Sequence, residues 1–267
     1  MVMGIAATVL SVLLFKPSAS KEPTVIRNYE TIVQSGTLKA VTEYNSISYH
    51  ASGDSASGFH YELLQAFTKD KGLQLDITPE MSFEKRFRYM TEGTYDILAN
   101  SVVVTTELKD SMLFTHPIVE NKLVLVQRRP QNNEDSSYIH NQLELANKTL
   151  HVVKNSPVIL RIRNLSNEIG DTIYIQEVEK YGQEHLLAMV AHGDIDYAVC
   201  DESIVLASIN NFPQIDIETA ISFTQFYSWG VNKKNTELLD SLNAWINAFK
   251  QTPAFEELNN KYNNSKQ

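Results

Sequence analysis

Four short stretches carry side chains whose types and placement suit recognition of a small charged solute. Lys154-Asn155-Ser156-Pro157 follows a β-branched run and opens a helical pattern, with Ser156 a good N-cap and Pro157 suited to the first helical position. Such a turn gathers backbone N–H groups and the positive end of a helix at one point, and Lys154 adds a full charge, so an anionic group would be stabilised there. The same four residues also make an ordinary capped helix start that needs no ligand, and both readings stay open. Asp201 closes a short apolar run; it could hold a ligand ammonium or cap the helical pattern over 203–209. Asn100-Ser101 close the equivalent run of the other half, so both ends should face one cleft. Glu43, Tyr44 and Asn45 end the first strand and offer a second carboxylate and an aromatic wall.

Signatures of covalent or metal-assisted catalysis are missing. The chain has no GxxxxGK[ST], GxGxxG, GxSxG or HExxH. His185 and His192 lie seven apart on one predicted helix and could share a face, but no carboxylate is placed to complete a metal site. Thr105 precedes Glu107 and reads as the cap of a short helix. The single cysteine, Cys200, sits in a strand without an adjacent base and reads as an inert core residue; alone it also excludes an internal disulfide or a thiolate cage. No catalytic residue, metal or cofactor is expected. A net charge of −9 disfavours nucleic acid, whose phosphates require a basic face.

The elements that must position these residues repeat. Residues 83–100 (FEKRFRYMTEGTYDILAN) lie beside 183–200 (QEHLLAMVAHGDIDYAVC) at an offset of 100 positions without a gap, matching Gly93 with Gly193 and Asp96 with Asp196. Each copy reads as an amphipathic helix ended by glycine, then a strand that is apolar throughout, as a strand covered on both faces should be. Thr37–Val41 and Thr149–Val153 are further matched strands, and helices are predicted over 59–70, 157–165, 237–249 and 253–262. The alternation predicts an α/β protein of two lobes, each a mostly parallel βα sheet, joined by a two-strand hinge with the ligand cleft between them. Leu123–Val126 is the strand leaving the first lobe and 226–231 the strand returning. Lobe 1 is expected over 36–123 plus 229–267 and lobe 2 over 124–228. A chain of 267 residues, 43% hydrophobic and 21% charged, with twelve Tyr and eleven Phe, has the material for two such cores.

Residues 4–15 form an apolar run too short to cross a bilayer, followed by Ser18-Ala19-Ser20, so 1–20 reads as a signal peptide although no Lys or Arg precedes the run. A buried N-terminal helix is the competing reading. The expected location is the periplasm, with membrane association through an uncleaved segment as the variant.

At GTLKAVT (36–42), GFHYELLQAF (58–67), GTYDILANSVVVTTEL (93–108), KNSP (154–157) and GDIDYAVCDESIVL (193–206), the chain resembles the family 3 periplasmic solute-binding proteins, the amino-acid-binding class. Within that class, 186–231 looks closest to the binding module that precedes the catalytic domain in membrane-bound lytic murein transglycosylases. No catalytic domain is expected before Gln267, and Glu202-Ser203, though it has the order of the transglycosylase acid pair, lacks the Gly-Leu-Met-Gln run downstream. The resemblance implies two lobes closing on an amino acid, a short peptide or a muropeptide, with an inner-membrane transporter or a murein enzyme as partner. It implies Asp201 as the amine-binding aspartate, Lys154, Asn155 and Ser156 as the anion-binding turn, Glu43 as an acidic cleft residue and Ser101 as a hydroxyl contact. Leu108 stands where the family's carboxylate-clamping arginine belongs and Val103 where a hydroxyl is expected; Arg161 or Lys154 would have to substitute from the other lobe.

Overall fold

The computed structural model describes residues 26–53, 55–130, 137–179 and 181–263; the expected export segment lies outside them. The first half runs α1 (Tyr29–Ser35), β1 (Thr37–Thr42), a hairpin of β2 (His50–Ser52) and β3 (Ser55–Ser57), α2 (Phe59–Asp70), β4 (Gln74–Pro79), α3 (Phe83–Thr91), β5 (Ile97–Val103), α4 (Thr106–Lys109), β6 (Met112–Phe114) and β7 (Val119–Asn121). The second half runs β8 (Leu123–Arg128), β9 (Thr149–Val153), α5 (Val158–Ile169), β10 (Tyr174–Val178), α6 (Gln183–His192), β11 (Ala198–Asp201), α7 (Glu202–Ser208) and β12 (Ile215–Asp216). The chain then returns through β13 (Gln225–Asn232) to α8 (Thr236–Phe249) and α9 (Pro253–Asn263).

Both β-branched runs become the middle of a parallel trio: β4-β1-β5 in one sheet and β10-β9-β11 in the other. Each trio is extended by a strand arriving from the opposite half, β13 beside β5 and β8 beside β11, and both run antiparallel. The sheets are therefore mixed where a mostly parallel arrangement was expected. The cause is connectivity: a strand that enters a sheet from the other lobe needs no crossover helix and can pair in reverse.

Side-chain alternation explains why the strands read as uniformly apolar. In β5, Ile97 and Ala99 face the cluster built with α2 and α8, whereas Leu98 and Val102 face Met90 on α3. In β8, Leu123 and Leu125 face the α5 side, and Val124 and Val126 face the α6 side. Helices cover both faces of each sheet, so the central strands β5, β8 and β11 are buried along nearly all their length, while the edge strands β4 and β10 keep exposed positions. Cys200 is one of these core residues, on the α6 side. The repeated glycines end their helices in the left-handed region, Gly93 at φ 81° and Gly193 at φ 85°. The repeated aspartates fix the strand that follows: Asp96 accepts from the Lys39 N–H and from Arg27, and Asp196 accepts from Arg128.

The chain crosses between the sheets twice, at 121–123 and 222–225. The crossings are bonded to each other, the Leu123 N–H donating to Ser222 Oγ at 2.9 Å and the Ile221 N–H to the Leu123 carbonyl at 2.8 Å. Across the groove, the N–H and hydroxyl of Ser46 donate to Glu184 Oε1 at 2.9 and 2.5 Å. Gly58 opens α2 at φ 137°, and a Cβ there would lie 2.6 Å from the Ser48 carbonyl oxygen. That collision is with backbone, so it cannot be relieved by a rotamer change. Gly58→Ala is expected to lower the unfolding free energy by about 3 kcal/mol or more, read as a shift of the urea midpoint at unchanged slope.

Candidate functional site

A cavity of about 160 Å³ lies between the two sheets, bounded by the carboxyl ends of β1, β5 and β11 and by the first turns of α3, α5 and α6. At roughly 10–15 Å³ of such space per water, it holds on the order of ten water-sized positions, the scale of one amino acid. Of the residues singled out from the sequence, Glu43, Asn100, Ser101, Ser156, Arg161 and Asp201 line it, as does Asn45.

Tyr44, Lys154 and Asn155 do not. Tyr44 turns outward, 44% exposed, its hydroxyl donating to the Ala51 carbonyl. Lys154 pairs with Glu179, and Asn155 gives its N–H to Glu177 and its side-chain amide to Glu84. Asn155 sits at φ 55°, a left-handed step that directs this pair away from the groove. The anion-binding turn expected there already has its outer donors taken by the protein's own carboxylates. Nor is Ser156 the helix cap: Pro157 holds that position, no side-chain cap bond forms, and Ser156 Oγ is buried.

Asp201 is 7% exposed and stands at the N-cap of α7 without a side-chain cap bond. It accepts instead from Tyr227 Oη at 2.8 Å and from Gln183 Nε2 at 2.7 Å, and it meets no cation among the described residues. Burial pushes its carboxyl up to about 6; the Gln183 and Tyr227 bonds oppose that rise, and the charge of Glu43 adds to it. Glu43 itself is paired, with Arg86 Nη2 2.8 Å from Oε2.

A buried chain stands behind Ser101. Trp229 Nε1, which can only donate, lies 2.9 Å from His60 Nδ1, so that nitrogen is the acceptor. The proton of neutral His60 is then on Nε2, 3.0 Å from Ser101 Oγ. Burial holds His60 down at about 3, so it stays neutral. Ser101 Oγ thus accepts from the imidazole, and its own proton is left to donate. Four buried polar atoms of cavity-lining residues have no hydrogen-bond partner among the described residues: Asn45 Nδ2, Arg86 Nε, Asn100 Oδ1 and Ser156 Oγ. Buried polar groups are satisfied in native proteins, so their concentration here fits a polar occupant. The position that resemblance reserved for an arginine, Leu108, packs against the Met90 cluster, and Val103 supplies an apolar patch of the wall. Arg161 reaches the cavity from α5, tied by Nε to the Ile221 carbonyl and by Nη1 to Glu168.

Gln183, Tyr227, Arg86 and His60 were not singled out from the sequence. The repeat carried a signal for the first: Phe83 and Gln183, offset by 100, open the matched helices α3 and α6, and both line the cavity. His185 and His192 pack on Tyr181 and Phe212, and no group of metal-binding side chains occurs among the described residues.

The family model described as bacterial extracellular solute-binding proteins, family 3, matches residues 37–265. Among curated relatives, the membrane-bound lytic murein transglycosylase F of Photobacterium profundum is 25% identical over 260 residues, 96% of this chain and 49% of that protein. Its namesake from Desulfosudis oleivorans is 27% identical, covering 86% and 49%. The chain spans about half the length of these relatives. Among solved structures, an ancestral arginine-binding protein bound to arginine superposes with a TM-score of 0.73 at 21% identity, covering 85% of this chain and 98% of that one. A mutant ArgBP from T. maritima gives 0.74 at 20%, covering 87% and 97%. These likenesses show the fold: two lobes around a cleft.

Two expectations follow from the buried groups. Asp201→Asn removes a charge that folding must desolvate, so it should raise stability at pH 7 by roughly 1–3 kcal/mol. The folded carboxyl titrates above its unfolded value, so the wild-type penalty builds as pH rises from about 4, where the unfolded carboxyl ionises, and is complete above about 6; in urea titrations the gain should shrink toward zero as pH falls below about 4. Nitrogen-15 NMR should find His60 neutral, with its proton on Nε2, from pH 5 to 8.

Proposed function

The chain belongs to the bacterial extracellular solute-binding proteins, family 3, and from that premise we propose that it binds a small amine-bearing solute, an amino acid or short peptide, in the interlobe cavity and closes on it without catalysis. The observation that carries this reading is Asp201: a buried carboxylate, bonded by neutral donors, unpaired with any cation among the described residues, at the wall of a cavity of amino-acid scale. An ammonium would supply the missing charge. Ser101, donating, and Arg161 are the groups for an acceptor or anionic end, with Asn100 and Ser156 completing the polar lining. Contacts from both lobes favour the closed arrangement only, so occupancy shifts the open–closed balance. The named arginine binders among the structural neighbours support an amino acid as the class.

Closure would report occupancy to a transporter or to a wall-remodelling enzyme, in a periplasmic setting. The second role is favoured by the murein transglycosylases among the relatives, of which this chain spans about half; in that reading the solute is a muropeptide and the chain the non-catalytic part of the system.

A thermal-shift screen of amino acids, dipeptides and muropeptides tests the proposal. Saturation at 100 times Kd should stabilise the protein by about 2.7 kcal/mol. Asp201→Ala should abolish the response, and affinity should fall as pH drops below 6, where a proton competes for the carboxylate. A screen in which nothing raises Tm would sink the binding role, and release of anhydro-muropeptides from peptidoglycan would sink its non-catalytic character.

A further inference from the structure

Glu43 directly follows β1 at the cavity wall, where a carboxylate would attract any cationic side chain that a solute carries. That place is filled from within. Arg86 Nη2 donates to Glu43 Oε2 at 2.8 Å, and Nη1 donates to the carbonyls of Glu80 and Met81 at 2.5 and 2.9 Å. The guanidinium carbon stands 5.8 Å from the ring centre of Phe83, within cation–π range. Arg86 follows Phe83 by three positions on α3, so both side chains share one helical face. Glu43, Phe83 and Arg86 all line the cavity, and Arg86 is 3% exposed. A carboxylate, an aromatic face and two carbonyls around one planar cation make a guanidinium receptor, here occupied by the chain's own side chain.

We infer that Arg86 is a specificity-determining residue that excludes solutes with a basic side chain. A second cation brought to Glu43 would meet Arg86 in a desolvated wall with no free carboxylate to pair with, and like charges juxtaposed there oppose binding. The cavity then takes solutes whose one cation is the ammonium at Asp201 and whose remaining groups are neutral or anionic. The inference rests on the cavity being the solute site, but its test does not need the natural solute.

Wild type, Arg86→Ala and the double variant Glu43→Gln/Arg86→Ala are titrated with methylguanidinium and with L-arginine at millimolar concentrations, by calorimetry and thermal shift. Arg86→Ala should bind methylguanidinium about 10- to 100-fold more tightly than wild type, the scale of one charge-assisted hydrogen bond. The double variant should lose that gain, and L-arginine should leave wild type unmoved. A single variant no more responsive than wild type, or a response that survives loss of the Glu43 carboxylate, overturns the inference. Should Arg86→Ala not fold, Arg86→Gln takes its place in the same titrations with the same two outcomes, and saturable stabilisation of wild type by L-arginine overturns the inference in either case. The solute screen is read on wild type, whereas the inference is decided by the gain of methylguanidinium binding in the Arg86 variant and its loss with the Glu43 carboxylate, so the two failures stay distinguishable.

Discussion

The molecule is organised around a carboxylate held out of water without a counter-charge. Asp201 comes from one sheet, and its hydrogen-bond donors come from both: Tyr227 from β13 in the opposite sheet, Gln183 from the helix beside it. An ionised carboxyl in such a place is costly, and neutral donors offset only part of that cost. The arrangement persists because the scaffold around it is over-determined. β13 is buried along most of its length, and its pairing with β5 fixes where the Tyr227 hydroxyl can reach. The interaction therefore joins the lobes at the place where the chain crosses between them.

The duplicated architecture gives that pivot its geometry. Two parallel trios point the carboxyl ends of β1 and β5 on one side and β11 on the other at a shared groove, and the matched helices α3 and α6 begin there. Residues at corresponding places have diverged in chemistry. Phe83 opens its helix with an aromatic face and Gln183 with an amide that grips Asp201. One lobe thus contributes an internally neutralised pair, Glu43 with Arg86, and the other an anion whose charge is left over.

Much of this was legible in the sequence because it is local. The 100-residue offset located both helix–glycine–strand units; strands Thr149–Val153 and helix Phe59–Asp70 have the expected bounds, and Thr105 caps α4 as its position suggested. What could not be read is what depends on distant partners. Arg86 on an amphipathic helix resembles a solvated arginine until Glu43, 43 residues earlier, is placed against it. His60 and Trp229 are 169 residues apart, and neither signals the other. The outward turn of Lys154 and Asn155 depends on one backbone angle and on Glu177, Glu179 and Glu84, none of which a motif encodes. Strand ends announce which residues approach a cleft; the torsion of the following turn decides which enter it.

The bond from Ser46 to Glu184 spans the groove without using the side chains around Asp201. It therefore favours the shut clamp whether or not anything is inside. Because the protein makes this contact with its own groups, it sets a resting spacing of the groove walls that does not depend on an occupant, and any parting of the walls would have to break it.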